Sequence, residues 1–190
     1  MAPRDPAVDD ATLVRRAQSD RAAFDPLYDR YVDAVYRYCR RRLGTREAAE
    51  DATAQVFMKV LTALPAYRDD GPSFRSWLFA ITHNTLVDVE RRRRDAEPLE
   101  AAARVMDDAP GPEALVLSAE TQRDVRVLLA AVSPDQRRVL ELRLSGLRTA
   151  EIAHVLDRPQ GAIRGLQLRA EMRLRAILGV VAVAREANDA

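Results

Sequence analysis

Apolar residues recur at intervals of three and four along most of the chain. From Ala22 to Leu43 they fall at Phe24, Leu27, Tyr28, Tyr31, Val32, Val35, Tyr38 and Cys39, with Asp25, Asp29, Asp33, Arg37, Arg40 and Arg41 between them. Such spacing lays one apolar stripe along an α-helix. Gly44 ends the segment as a C-cap glycine, and Thr45 caps a second helix over Arg46 to Leu64. Glu47, Glu50 and Asp51 stand early in that helix, where its dipole favours acids. A loop from Pro65 to Pro72 follows, and Ser73 caps a third helix, SFRSWLFAITHNTLVDVERRRR. There Phe74, Leu78, Ile81, Thr85 and Val89 share one face, and Trp77, His83, Asn84 and Asp88 turn towards another. A short helix over Ala11 to Gln18 precedes all three, behind a polar, proline-containing tail.

The second half repeats the helical period with different punctuation. Ser118 to Val132 forms a helix, and Ser133-Pro134 restarts the chain as N-cap and first helical residue. Val139, Leu140 and Leu142 point inward from a helix over Pro134 to Leu144, and Ser145-Gly146 makes a turn. A short helix from Arg148 to Leu156, a turn at Asp157-Arg158-Pro159 and a helix from Gln160 to about Leu178 complete the pattern. Ile163, Leu166, Ala170 and Leu174 are the core stripe of the last helix. This is the layout of a helix-turn-helix, whose second helix offers Arg158, Gln160, Arg164 and Gln167 to base edges. Arginine can grip guanine and glutamine adenine in bidentate fashion. A plain helical hairpin would have the same layout.

Between the halves, Asp95 to Leu117 carries scattered acids and a Pro-Gly-Pro, the composition of a linker. No run alternates apolar and polar residues long enough for a strand. The expected fold is all-α: two small helical domains joined by a flexible acidic linker.

Charge sharpens this picture. The net charge is only +1. From Asp95 to Asp124 eight acids face two bases, a balance of −6, whereas Pro134 to Ala176 holds nine arginines and five acids, a balance of +4. An acidic middle between basic flanks points to nucleic-acid contacts on the flanks. The Ser73 helix combines aromatic rings, which can stack on unpaired bases, with Arg91, Arg92, Arg93 and Arg94, which can hold phosphates. It suits a grip on opened single-stranded DNA; a core helix with a solvated basic end has the same pattern.

Other chemistry is sparse. Cys39 is the only cysteine, which rules out an intramolecular disulfide and a cysteine-based zinc site. His83 and His154 lack partners at metal-ligand spacing, so neither a metal nor a cofactor is expected. The adjacent carboxylates Asp69-Asp70 and Asp107-Asp108 lie in loops without a histidine or a glycine-rich phosphate loop, which argues against an enzyme and a small-molecule substrate. The acidic start MAPRDPAVDD is no signal peptide, and no stretch reaches the length of a membrane span. A cytoplasmic protein is expected.

Taken together, the two halves resemble a bacterial RNA polymerase sigma factor of the sigma-70 family, of the small extracytoplasmic-function (ECF) type. FDPLYDRYVDAVYRYCRRRLG, AEDATAQVFMKVL and FRSWLFAITHNTLVDVERRRR, within residues 24–94, look like region 2. SPDQRRVLELRLSGLRTAEIAHVLDRPQGAIRGLQLRAEMRLRAIL, within residues 118–178, looks like region 4. The resemblance leaves 1–23 as an N-terminal tail and short helix, 95–117 as the linker and 179–190 as a C-terminal tail.

The resemblance implies a non-enzymatic factor that binds core RNA polymerase, recognises the −35 and −10 promoter elements and helps open the DNA. Asp51, Gln55 and Phe57 would meet core polymerase. Tyr67, Arg68, Asp69, Arg75, Trp77, His83, Asn84 and Arg91 to Arg94 would hold the single-stranded −10 element, with a base flipped into the Pro65–Pro72 loop. Arg148, Thr149, Arg158, Gln160, Arg164, Gln167 and Arg169 would meet the duplex −35 element. A separate anti-sigma factor is a further candidate partner. Ala54-Gln55 stands where Gln-Glu is usual, and Gly165, Leu166, Gln167 and Leu168 stand where Ser, Arg, Leu and His are frequent. The linker would thread the RNA exit path. Extended, the 24 residues from Asp95 to Ser118 reach roughly 80 Å, enough for two duplex turns of about 70 Å.

Overall fold

Asp9 accepts a hydrogen bond from the backbone N–H of Thr12 at 2.7 Å and so caps the first helix, α1 (Asp10–Ser19). The computed structural model that reveals this cap describes residues 8–96 and 131–188, which fall into an N-terminal and a C-terminal unit. Every regular element among the described residues is helical. The helix expected over 118–132 lies almost wholly outside them, as does nearly all of the acidic linker.

The N-terminal unit continues through a 3₁₀ turn (Arg21–Phe24) to α2 (Asp25–Leu43), α3 (Arg46–Ala63), a second 3₁₀ turn (Leu64–Ala66) and α4 (Phe74–Ala96). Gly44 stands at φ 81°, left-handed backbone that a glycine adopts without a Cβ clash. Thr45 Oγ1 accepts from the Ala48 N–H, and Ser73 Oγ from the Ser76 N–H, so both expected caps form.

Leu27, Tyr31, Val35 and Tyr38 of α2 meet Ala49, Ala52, Val56 and Val60 of α3 in the core. The two alanines let the helices close on each other. The helix read as part of an N-terminal extension is instead a fourth member of the bundle. Leu13, Val14 and Ala17 of α1 are buried, and the Asp10 carboxylate pairs with Arg30 at 2.6 Å and accepts from the Tyr31 hydroxyl.

The buried surface of α4 is also wider than one stripe. Phe74, Leu78 and Thr85 are buried as expected, but so are Ser76, Phe79, Thr82 and Leu86, while Ile81 and Val89 are half-buried. The helix packs against both α2 and α3, so two flanks leave solvent rather than one. Its buried Thr82 hydroxyl is satisfied within the helix, donating to the Leu78 carbonyl at 2.8 Å.

The C-terminal unit contains α5 (Pro134–Leu144), α6 (Thr149–Val155) and α7 (Gln160–Asn188). Ser133 and Gln136 form a reciprocal capping box, with Pro134 as the first helical residue. Val139, Leu142, Leu147, Ile152, Ile163 and Ala170 are fully buried. Gly146 at φ 85° turns the chain after α5, and Asp157 at φ 49° turns it before α7, a left-handed position that aspartate tolerates better than most residues. Helix α7 runs on through the stretch read as a C-terminal tail, ending at Asn188.

Candidate nucleic-acid and polymerase interfaces

The loop between α3 and α4 is tied at both ends. The Tyr67 hydroxyl donates to the Pro72 carbonyl at 3.0 Å, and its ring packs edge-on against Phe74 and tilted against Trp77, with centroids 5.8 and 5.0 Å away. Only 7% of Tyr67 is exposed. Burial, reinforced by the Asp69 carboxylate, pushes its phenol up to about 12. Tyr67, expected among the residues that hold the −10 element, is therefore the buried anchor of the loop and does not present a free ring to a base. Arg68, Asp69 and Asp70 are exposed at the loop's rim.

Along α4, Trp77, Asn84 and Arg91 follow one another at seven-residue intervals. Seven residues are about two helical turns, so the three lie on nearly one line; Trp77 is half-buried, and Asn84 and Arg91 are exposed. The line offers a ring, an amide and a guanidinium in succession. Two expected members are not on it. His83 turns towards α2, its Nδ1 3.2 Å from the Tyr38 hydroxyl, and the Arg75 guanidinium lies over the Tyr31 ring, 5.7 Å from its centroid. Arg92 and Arg93 are exposed, and Arg93 reaches the Leu43 carbonyl at 3.4 Å. The Arg94 side chain lies outside the described residues. Lys59 donates to Thr85 at 3.1 Å and stands 3.8 Å from Asp88, adding a cation beside this line.

On α3, Asp51 and Gln55 are exposed and Phe57 is not: it is 5% exposed, its ring packed edge-to-face with Tyr28, the centroids 4.7 Å apart. Helical geometry explains the correction. Positions 51, 55 and 58 share a face, so the apolar group beside Asp51 and Gln55 is Met58, 62% exposed. Beside this stripe an open groove runs between α2 and α3, lined by Tyr28, Val32, Tyr36, Glu50, Ala54 and Phe57 among others.

In the C-terminal unit, Gln160, Arg164 and Gln167 lie along one flank of α7, next to the buried Ile163, Leu166 and Ala170. Gln160 and Arg164 are exposed. With its amide oxygen turned to the donors, Gln167 accepts from Arg143 Nη2 and Nε at 2.8 and 2.9 Å. Arg143 also donates to the Leu147 carbonyl at 3.1 Å and to Thr149 Oγ1 at 3.0 Å. One guanidinium thus joins α5, the turn, the start of α6 and the flank of α7 that carries Gln160 and Arg164. No sequence signal singled out Arg143, because its partners meet only after folding.

The remaining candidates diverge. Arg158 pairs with Asp135 at 2.9 Å, which draws it back to the start of α5. Arg169 is exposed on the far side of α7 from Gln160, curled over Gly165. Exposed Arg148 has its backbone N–H held by Glu151 at 2.8 Å.

Residues 27–96 match the Sigma-70 region 2 family, and residues 122–174 match the Sigma-70 region 4 family. The chain is 33% identical to the ECF RNA polymerase sigma factor SigD of Mycobacterium tuberculosis, over 87% of its own length and 82% of that protein's. The chain belongs to the sigma-70 family and is an ECF RNA polymerase sigma factor. It is also 36% identical to the ECF sigma factor BldN of Streptomyces coelicolor, over 87% of this chain and 64% of BldN. Among solved structures, CnrH in complex with the cytosolic domain of CnrY is similar, with a TM-score of 0.69 and 27% identity, covering 90% of this sigma factor and 97% of CnrH. A sigma factor binds core polymerase and promoter DNA and is not itself an enzyme. No helix among the described residues of this one is long and apolar enough to cross a membrane.

Proposed function

We propose that this sigma factor docks on core RNA polymerase through the exposed α3 stripe of Asp51, Gln55 and Met58. The loop from Tyr67 to Pro72 holds a base flipped from the −10 element, and α4 tracks the opened strand. The flank of α7 reads the −35 element as duplex. The observation that carries this reading is the line of Trp77, Asn84 and Arg91 on α4, which begins beside the loop and ends in the arginine run. A ring that can stack, an amide that can pair with a base edge and a cation that can hold phosphate are the groups a single strand requires. Flipping a base costs a few kcal/mol, which those contacts offset. The acidic linker would lie along the RNA exit path, in a groove suited to phosphates. This work takes place where core polymerase is, in the cytoplasm.

An anti-sigma factor fits the same surfaces. A partner covering the α3 stripe would keep the chain from core polymerase, and CnrH is bound to the cytosolic domain of CnrY in its solved structure.

The net charge of +1 leaves the free chain little electrostatic surplus for duplex DNA. Core polymerase would hold both DNA-binding units at the spacing of the promoter. The test is a gel-shift titration on one promoter fragment with and without core enzyme. Weak binding alone and tight, specific binding with core is the expected result. Tight specific binding by the free chain would overturn the reading in favour of a stand-alone helix-turn-helix regulator.

A further inference from the structure

The side-chain amide of Gln18, near the end of α1, donates to two backbone carbonyls at the root of the α3–α4 loop, Leu64 O at 3.0 Å and Tyr67 O at 2.8 Å. We infer that Gln18 is a positioning residue that sets the shape of the base-holding loop and thereby its selectivity at the −10 element. The inference rests on the proposed role of that loop.

The carbonyls in question belong to the chain as it leaves α3, where the last turn of a helix runs out of intrahelical donors. Leu64 O already accepts from the Tyr67 N–H at 3.0 Å, closing the 3₁₀ turn. Gln18 supplies that carbonyl with a second donor and Tyr67 O with its own, using both amide hydrogens. At the far end the Tyr67 hydroxyl closes on Pro72. The exposed residues Arg68, Asp69 and Asp70 are thus strung between two fixed points, and one of those points is held from another helix.

The holder is rigid. Leu13, Val14 and Ala17 bury the inner face of α1, and Asp10 ties its start to Arg30 and Tyr31 on α2. Gln18 itself is half-buried, so water competes less for its hydrogen bonds than it would at an exposed site. A reading site keeps its geometry only if supporting residues lock it, and small displacements there degrade discrimination steeply. Removing the amide donors frees the loop root while leaving the packing of α1 in place. Gln18 also lies outside the segment matched by the region 2 family, residues 27–96.

The experiment uses full-length protein assembled with core polymerase and a promoter library randomised at both elements. Gln18→Met removes the amide, and Gln18→Glu keeps its shape but not its donors, so each variant checks the other if one folds poorly; thermal melts report folding. Replacing Arg68, Asp69 and Asp70 together serves as the control on the loop. Both Gln18 variants should lose roughly 5-fold in discrimination at the −10 base, the scale of two modest hydrogen bonds, with −35 discrimination unchanged. Undiminished −10 discrimination in the variants overturns the inference, and so does an equal loss at both elements, which would mark a purely structural role. If the loop replacement shifts the −10 preference and the Gln18 variants do not, the inference fails alone. If the loop replacement also leaves the preference unmoved, the loop reading fails and the inference falls with it.

Discussion

Arg42 of α2 grips the carboxylate of Glu90 on α4 through both oxygens: its Nη2 lies 2.5 Å from Oε1 and 2.7 Å from Oε2, and its Nε lies 3.0 Å from Oε1. Glu90 immediately precedes Arg91, so the pair fastens the root of the arginine run to the bundle. The Arg42 side chain is 8% exposed and that of Glu90 26%. Removing one partner of a largely buried pair costs more than the pair itself contributes. Glu90→Ala should therefore destabilise the N-terminal unit by about 2–3 kcal/mol. Trp77 is the only tryptophan, so its fluorescence during urea unfolding follows this unit. In a double-mutant cycle, Arg42→Ala should add little to Glu90→Ala. Independent, additive losses would show that the two side chains are not coupled.

Gln160→Ala and Arg164→Ala should each weaken use of the −35 element by roughly 1–3 kcal/mol, the worth of a bidentate base contact. Arg169→Ala, on the far side of α7, should leave base preference intact. Competition between promoter variants, transcribed by the reconstituted holoenzyme, measures this. A preference that moves with Arg169 but not with Arg164 would mean that the wrong flank has been assigned.

Arg143 and Gln167 should act as a unit. Arg143→Ala and Gln167→Ala are expected to show a coupling of about 1 kcal/mol in −35 binding. The same titration of each single and the double variant supplies the cycle, and strict additivity would separate the two residues.

Met58 and Phe57 should part company despite being neighbours. Met58→Glu places a charge in the proposed docking stripe and should abolish co-purification with core polymerase without lowering the unfolding midpoint. Phe57→Ala empties a buried site and should cost about 3–5 kcal/mol of stability. Retained core binding by Met58→Glu would move the docking surface elsewhere.

Burial pushes the Cys39 thiol from its ordinary 9.0 up to about 11. The folded state therefore favours the neutral form. Its contribution to stability is complete below pH 9 and is lost as the pH rises towards 11. At pH 8 native protein should resist iodoacetamide, and labelling should rise with urea in step with Trp77 fluorescence. Rapid labelling of the folded chain would contradict the buried placement.

The helices were legible in the sequence because their signals are local. Gly44, Thr45, Ser73 and the Ser133-Pro134 pair mark helix boundaries through bonds that span only a few residues. The three- and four-residue spacing likewise located the inner face of α2, except that Tyr28 of the expected stripe is 41% exposed, and the order of the two halves pointed to the sigma-70 family. The exposure of Gln160 and Arg164 also followed from their place beside the apolar stripe of α7. The outward position of Met58 was implicit in the same periodicity, but the family resemblance placed the polymerase contact on Phe57.

Other features depended on contacts distant in the chain. The apolar residues of α1 do not specify which helices they meet, so its place in the bundle required tertiary structure. One stripe was legible on α4, but the burial of Phe79, Thr82 and Leu86 requires neighbours on two sides. Tyr67 stood among the residues expected to hold the −10 element and becomes a loop anchor because Pro72, Phe74 and Trp77 converge on it. His83 is drawn to Tyr38 and Arg158 to Asp135 for the same reason. Periodicity and capping report what a segment does with its own backbone; which polar group a side chain reaches across the fold is decided only when the helices pack.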